Sequence, residues 1–351
     1  VAGLAGSFWL GIAGSCVEVR SVSYLRREGA LPLTESVNVY VSAYDGTRTG
    51  RHRLGERALP RGRSDPDTGR SGRMGLTTAG SEGLLRRAET DAPTTHTITP
   101  ASAGWDFVGF SEHRLERGGR VSFGADDRER AVVVLEGSAD VDAGVHHWSS
   151  LGSRASVFDG PAPPVLLLEP GLELAVEAGS DATIVVADAP AAGIRRTELF
   201  RPEDIHVETR GEGITERTIH HLLPPTVEAG RLILFEVFTP GGNWSSYPPH
   251  KHDTEDPPTE AYLEELYYYR FRRPEGWGFA RVYTPDRSLD RSFAPTDRDV
   301  LLIPRGYHPF GAPAGYDAYY LNVMAGPNRA WHFTVDPDHA WLMNWDPNLP
   351  E

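Results

Sequence analysis

From about residue 100 the chain is broken into short apolar or alternating runs. Gly, Pro, Asp and Ser bound each run, and no stretch sustains a helical period. Arg130 to Leu135, Val165 to Leu168, Leu172 to Val176 and Thr183 to Val186 form one series. A polar connector over 193–210 leads to a second: Arg231 to Phe238, Leu263 to Phe271, Phe279 to Tyr283, Val300 to Ile303 and Ala318 to Met324. Segments this short, with turn residues between them, suit the strands of a sandwich or barrel. Two successive series of similar length predict an all-β fold of two consecutive barrels, with boundaries near 74–200 and 201–351. A chain of 351 residues, 39% of them hydrophobic, has enough apolar material for more than one core.

Charge narrows the function classes. Asp+Glu number 49 against Lys+Arg 35, a net charge of −14. That balance argues against a nucleic-acid or anionic-membrane partner, either of which calls for a basic patch. No apolar run is long enough to span a membrane as a helix. Cys16 is the single cysteine, so neither an internal disulfide nor a cysteine metal cluster can form. The charge is also uneven: residues 1–73 hold eleven arginines and seven acids, and the rest of the chain 24 basic and 42 acidic residues. The sequence opens on Val1, and its first methionine is Met74. We therefore expect 1–73 to be an extension outside the functional unit, with Arg48 to Arg73 disordered by composition and Val37 to Tyr44 alternating like a strand. Val1 to Ser15 is apolar like a targeting segment but lacks the basic flank of a secretory signal.

The densest chemistry is Pro248-Pro249-His250-Lys251-His252, which contains the only lysine of the chain. On an extended backbone, residues i and i+2 share a face, so His250 and His252 present two imidazoles side by side. Two such ligands need partners from elsewhere. Leu263-Glu264-Glu265-Leu266 opens an apolar strand with a carboxylate, and Val300 to Ile303 runs into Pro304-Arg305-Gly306-Tyr307-His308, a turn able to aim His308 inward. His-x-His, a later Glu and a later His form the ligand order of a cupin barrel. Glu255 and Glu260 compete with Glu265 for the carboxylate position. Glu265 is preferred because the other two lie in a Pro-rich insertion, while Glu264 faces the opposite side of a regular strand. The remaining histidines lack such spacing, and the first module carries no comparable set, which predicts a metal-free first barrel. Three histidines and a carboxylate suit Zn²⁺, Mn²⁺ or Fe²⁺.

Several motifs resemble the 5-deoxy-glucuronate isomerase family of myo-inositol catabolism. They are Pro248 to Asp253, Tyr262-Leu263-Glu264-Glu265 with Tyr267 to Arg270, Arg281 to Thr284, Pro304 to Pro309, Tyr319 to Pro327 and Asp336 to His339. The likeness is dense from Gly211 to Asp338 and sparser at Leu151 to Phe158. It implies a bicupin fold and a cytoplasmic aldose–ketose isomerase that acts on a small sugar acid, with no nucleic-acid or membrane partner and room for a homo-oligomer. The related 4-deoxy-uronate ketol-isomerases carry zinc on a matching ligand set, which here implies His250, His252, Glu265 and His308. Tyr267 and Tyr269 share a face with Glu265 and are candidates to move the proton, though barrel packing would also explain them. Arg217, Arg281 and Arg305 are candidates for the substrate carboxylate. A cupin dioxygenase, the pectin-pathway ketol-isomerase and a sugar-binding bicupin without catalysis are the alternatives.

Overall fold

The computed structural model describes residues 83–88, 92–193 and 195–345, together with the backbone of one hairpin nearer the N-terminus. That hairpin pairs Gly6–Ile12 with Ser15–Ser21 and belongs to a compact unit of its own, Val1–Gly72. The expectations for Val37 to Tyr44 and Arg48 to Arg73 lie outside the described residues.

The rest is two antiparallel β modules. The first joins a six-stranded sheet, in the order 198–200, 165–168, 128–136, 182–190, 109–115 and 94–98, to a four-stranded sheet of 120–123, 174–178, 139–143 and 146–151. The second has a seven-stranded sheet in the order 206–210, 217–223, 233–239, 318–325, 264–271, 300–303 and 85–86. Facing it are a four-stranded sheet of 244–245, 310–311, 279–283 and 290–293 and the short pair 250–251 with 334–335. This is the bicupin architecture, and the strands expected from the apolar runs are present. The span read as a polar connector is not featureless: Glu198–Phe200 closes the edge of the first module and His206–Arg210 opens the second.

The uninterrupted apolar run Ala131-Val132-Val133-Val134-Leu135 follows from burial on both faces of its sheet. Val132 and Val134 point into the first barrel, while Ala131, Val133 and Leu135 join a core shared with the second module. The Glu264–Phe271 strand divides in the same way. Glu264 and Tyr268 face the first module, and Glu265, Tyr267 and Tyr269 line the second barrel.

Carboxylates fasten the two modules. Glu264 accepts the backbone N–H groups of Asp106, Phe107 and Val108 at 2.6, 2.8 and 2.9 Å. Glu129 does the reverse, accepting those of Gly230, Arg231 and Leu232. Arg154 donates to both oxygens of buried Glu236 at 3.2 and 2.7 Å, and Tyr319 donates to the same carboxylate at 2.8 Å. Each buried charge thus has the full set of partners that burial requires.

Candidate active site

His250 and Lys251 form a two-residue strand paired with Val335 and Thr334, and His252 follows directly. Glu265 lies one residue into its strand, opposite Ile303 and Met324. His308 comes off the turn after Ile303. Gly306 in that turn has φ +91°, and a Cβ there would stand 2.5 Å from the Tyr283 carbonyl, so only glycine fits. The Gly306 N–H donates to Asp253 at 2.8 Å, which ties the His308 turn to the loop carrying the other two histidines.

Ligand atoms of His252, Glu265 and His308 lie within 4.8 Å of one another, and all three residues are buried. His250 stands beside them, its ring centroid 4.9 Å from that of His308 and 6.3 Å from that of His252. Each histidine has its Nδ1 against a backbone carbonyl: His250 on Pro248 at 3.1 Å, His252 on Leu263 at 3.0 Å and His308 on Gly306 at 2.8 Å. A carbonyl can only accept, so these contacts place a proton on each Nδ1 and turn each Nε2 toward the site. His252 Nε2 and His308 Nε2 converge on one oxygen of Glu265, at 3.0 and 2.9 Å. The His308 contact lacks hydrogen-bond geometry, so its buried Nε2 has no hydrogen-bond partner among the described residues. Two imidazole nitrogens and a carboxylate oxygen thus crowd onto one small region. The residues present therefore fit a divalent metal.

The charges of these groups crowd one another. Burial, then the positive charge that His308 and His252 can carry, pulls His250 down to about 3. Burial acts the same way on His252, but the charge and hydrogen bond of Glu265 outweigh it and leave that imidazole above its ordinary value. Burial opposes ionisation of Glu265 too, yet His308 and His252 hold its carboxyl well below the usual range.

The competing carboxylates are engaged elsewhere. Glu260 takes the Lys251 ammonium at 2.8 and 2.9 Å and the N–H groups of Asp253 and Thr254. Glu255 accepts from Tyr262 N–H and Asn328. Lys251 points away from the histidines and also binds Asp253 at 2.6 Å. The sequence reading missed this brace because Asp253 and Glu260 sit in an insertion with no periodicity. The lone lysine was the available signal.

The tyrosines share the inner face with Glu265. The Tyr267 ring lies edge-on to His308 at 6.0 Å and packs on Tyr320 at 4.3 Å, and its hydroxyl donates to Ser246 at 3.2 Å. Tyr269 is farther along the strand against Phe310, and its buried hydroxyl has no hydrogen-bond partner among the described residues. Burial, then Glu265 for Tyr267 and Tyr320 for Tyr269, raises both phenols well above their ordinary value. Neither can be a base at neutral pH; both hold their protons and can donate them.

The three arginines separate. Arg281 donates to both oxygens of Asp290 at 2.8 Å and stacks over Tyr283, on the outer face of a strand whose Ala280 and Val282 point inward. Arg305 is exposed and reaches Ser288 at 3.5 Å. The structure does not bring either to the histidines. Arg217 alone of the three begins a strand of the seven-stranded sheet that lines the barrel.

Comparison with known proteins agrees with this geometry. The sequence model of the KduI/IolB family matches residues 84–342. A 5-deoxy-glucuronate isomerase of Geobacillus kaustophilus is 44% identical over 247 residues, which are 70% of this chain and 89% of that protein. A crystal structure of an IolB-like protein from Salmonella typhimurium LT2 superposes with a TM-score of 0.73 at 42% identity, covering 74% of this chain and 99% of that one. An oxalate decarboxylase of Lactobacillus farciminis, solved with formate, is 13% identical with a TM-score of 0.53 and covers 76% of this chain and 92% of its own; it shares the fold.

Proposed function

This chain belongs to the KduI/IolB family, and from that premise we propose that it converts 5-deoxy-D-glucuronate to 5-dehydro-2-deoxy-D-gluconate in cytoplasmic inositol catabolism. It is an isomerase, as its curated relatives are named. The reaction is an aldose–ketose isomerisation assisted by a divalent metal, zinc by preference, on His250, His252, Glu265 and His308. The convergence of carbonyl-oriented histidines on Glu265 carries this reading.

When bound, the ion supplies Lewis acidity at the carbonyl and the neighbouring hydroxyl, where charge builds as the C2 proton leaves. The chain's own groups orient the ligands and polarise the substrate. Backbone carbonyls of Pro248, Leu263 and Gly306 hold the three rings in one tautomer. Buried Tyr267, protonated at neutral pH and beside His308, donates a hydrogen bond to an oxygen of the enediol as it forms. Tyr269 keeps its proton and a free hydroxyl on the same wall. The aromatic lining of Tyr267, Tyr269, Tyr320 and Phe310 keeps bulk water from the reacting carbons.

Metal analysis followed by anaerobic incubation with 5-deoxy-D-glucuronate tests the proposal. We expect near-stoichiometric metal, conversion without O₂, and loss of both in His250→Ala. Turnover that requires O₂ would indicate a dioxygenase. Full activity in metal-free His250→Ala would overturn the metal assignment, and a metal-free protein without turnover would indicate a binding protein.

A further inference from the structure

We propose that Arg217 anchors the substrate carboxylate from inside the second barrel, so that a sugar acid lies with its aldehyde end at His252, Glu265 and His308. The inference rests on the isomerase reading and adds to it the residue that selects acids over neutral sugars.

Strand register places the arginine. Tyr269 pairs with Tyr320, Tyr320 with Val237 and Val237 with Ile219. Paired residues in antiparallel strands share a face, so all four point into the barrel, as Glu265 and Tyr267 do. Arg217 is two residues before Ile219 on the same strand and shares its face. The guanidinium is half-buried, and among the described residues its partners are carbonyls: Thr215 at 2.9 Å and Tyr247 at 3.3 Å. Glu208, an acid near it, is already held by Arg210 and His221. Tyr247 belongs to the segment leading into His250, and the charges of both Arg217 and Glu265 act on the Tyr320 hydroxyl. Cation and candidate metal site therefore flank one aromatic wall.

That wall also carries polar atoms with nothing to bond. The Tyr269 hydroxyl and Asn322 Oδ1 are buried and unpartnered among the described residues, and Asn322 pairs with Tyr267 on the inner face. Buried polar atoms without partners are few in native folds and destabilise them. A polyhydroxylated chain between Arg217 and the histidines would satisfy both: its hydroxyls donate to Asn322 and accept from Tyr269. The substrate has the matching layout, with its carboxylate at the opposite end of the carbon chain from the reacting aldehyde. Arg281 and Arg305 cannot substitute, one being spent on Asp290 and the other on the outside.

The test is kinetics and binding on the full chain with its metal loaded. For Arg217→Gln we expect KM for 5-deoxy-D-glucuronate to rise at least tenfold, with a smaller change in kcat and unchanged metal content. By calorimetry we expect a comparable loss of affinity for D-gluconate and none for neutral D-glucitol. Arg217→Lys keeps the charge without the fork and should fall between wild type and Arg217→Gln. It decides the matter if the glutamine variant does not fold. Arg281→Gln should leave KM and gluconate binding unaltered. Unchanged gluconate affinity in both Arg217 variants, or equal losses for gluconate and glucitol, would overturn the proposal. Wild-type protein that binds gluconate through Arg217 yet does not isomerise the uronate would sink the isomerase reading and leave this inference standing.

Discussion

At the residue scale the candidate site separates groups that would hold an ion from groups that hold those side chains in place. Lys251 is of the second kind. Its ammonium joins Asp253 and Glu260, and Asp253 in turn receives the Gly306 N–H whose carbonyl orients His308. Replacing Lys251 with Met leaves two partly enclosed carboxylates facing each other and loosens that chain. We expect metal affinity to fall about 10–100-fold while the fold persists, measured by competition with a chelator; an unchanged affinity would remove the brace from the account. Tyr267, under the proposed function, acts on the substrate instead. Tyr267→Phe deletes one hydrogen-bond donor beside His308 and should lower kcat about 100-fold with KM nearly constant. Equal kcat in the two proteins would assign the hydroxyl to Ser246 and packing alone. His250-x-His252, Glu265 and His308 were legible in the sequence because strand periodicity and the Pro-x-Gly-x-His turn are local rules. The brace was not, since it forms across an insertion, and neither was the choice of Arg217 over Arg281, since both alternate on strands and only register tells inside from outside.

At the element scale the Glu264–Phe271 strand serves two bodies. Its even residues bind the first module and its odd residues build the candidate site, so the position of Glu265 depends on how Glu264 is held. Three backbone donors converge on Glu264. Glutamine has nearly the same shape, but it weakens these bonds and turns an N–H toward at least one N–H. Glu264→Gln should cost on the order of 2–3 kcal/mol in chemical denaturation, with the metal still bound at saturating concentration. A loss below about 0.5 kcal/mol would make the three contacts incidental. The strands read correctly from sequence were those with a dense apolar or alternating pattern, buried on both faces like Val300–Ile303 or on one like Phe279–Tyr283. Arg120–Phe123 and His146–Leu151 escaped notice because one or both faces meet solvent and at least half of their residues are polar. Leu85–Arg86 escaped because two residues carry no pattern; their pairing with Val300 and Leu301 is a long-range event.

At the scale of the whole molecule, an acidic protein acting on an anion needs a local exception to its own field. Under the proposed function, a metal on the histidines and the inward-facing Arg217 would supply two positive points inside one barrel. Residues 1–73 carry an excess of arginine but lie outside the stretch shared with the family, which begins at residue 84. The boundary can be located physically. Leu84 is buried, Leu85 and Arg86 extend the sheet that bears Glu265, and Arg87 and Ala88 both bond to Asp299 at the start of the strand leading to His308. A protein starting at Met74 keeps all of these contacts, and one starting at residue 89 loses them. We expect the 74–351 protein to match the full chain in metal content and kcat/KM. The 89–351 protein should melt lower and bind metal more weakly, because the strand entering the His308 turn has lost its edge partner and Asp299 has lost its cation. Calorimetric melting and metal titration of the three proteins distinguish the cases. If the 74–351 protein is inactive, residues 1–73 contribute to the enzyme despite their different composition. If the 89–351 protein is as stable as the full chain, the edge strand is not what holds the His308 turn.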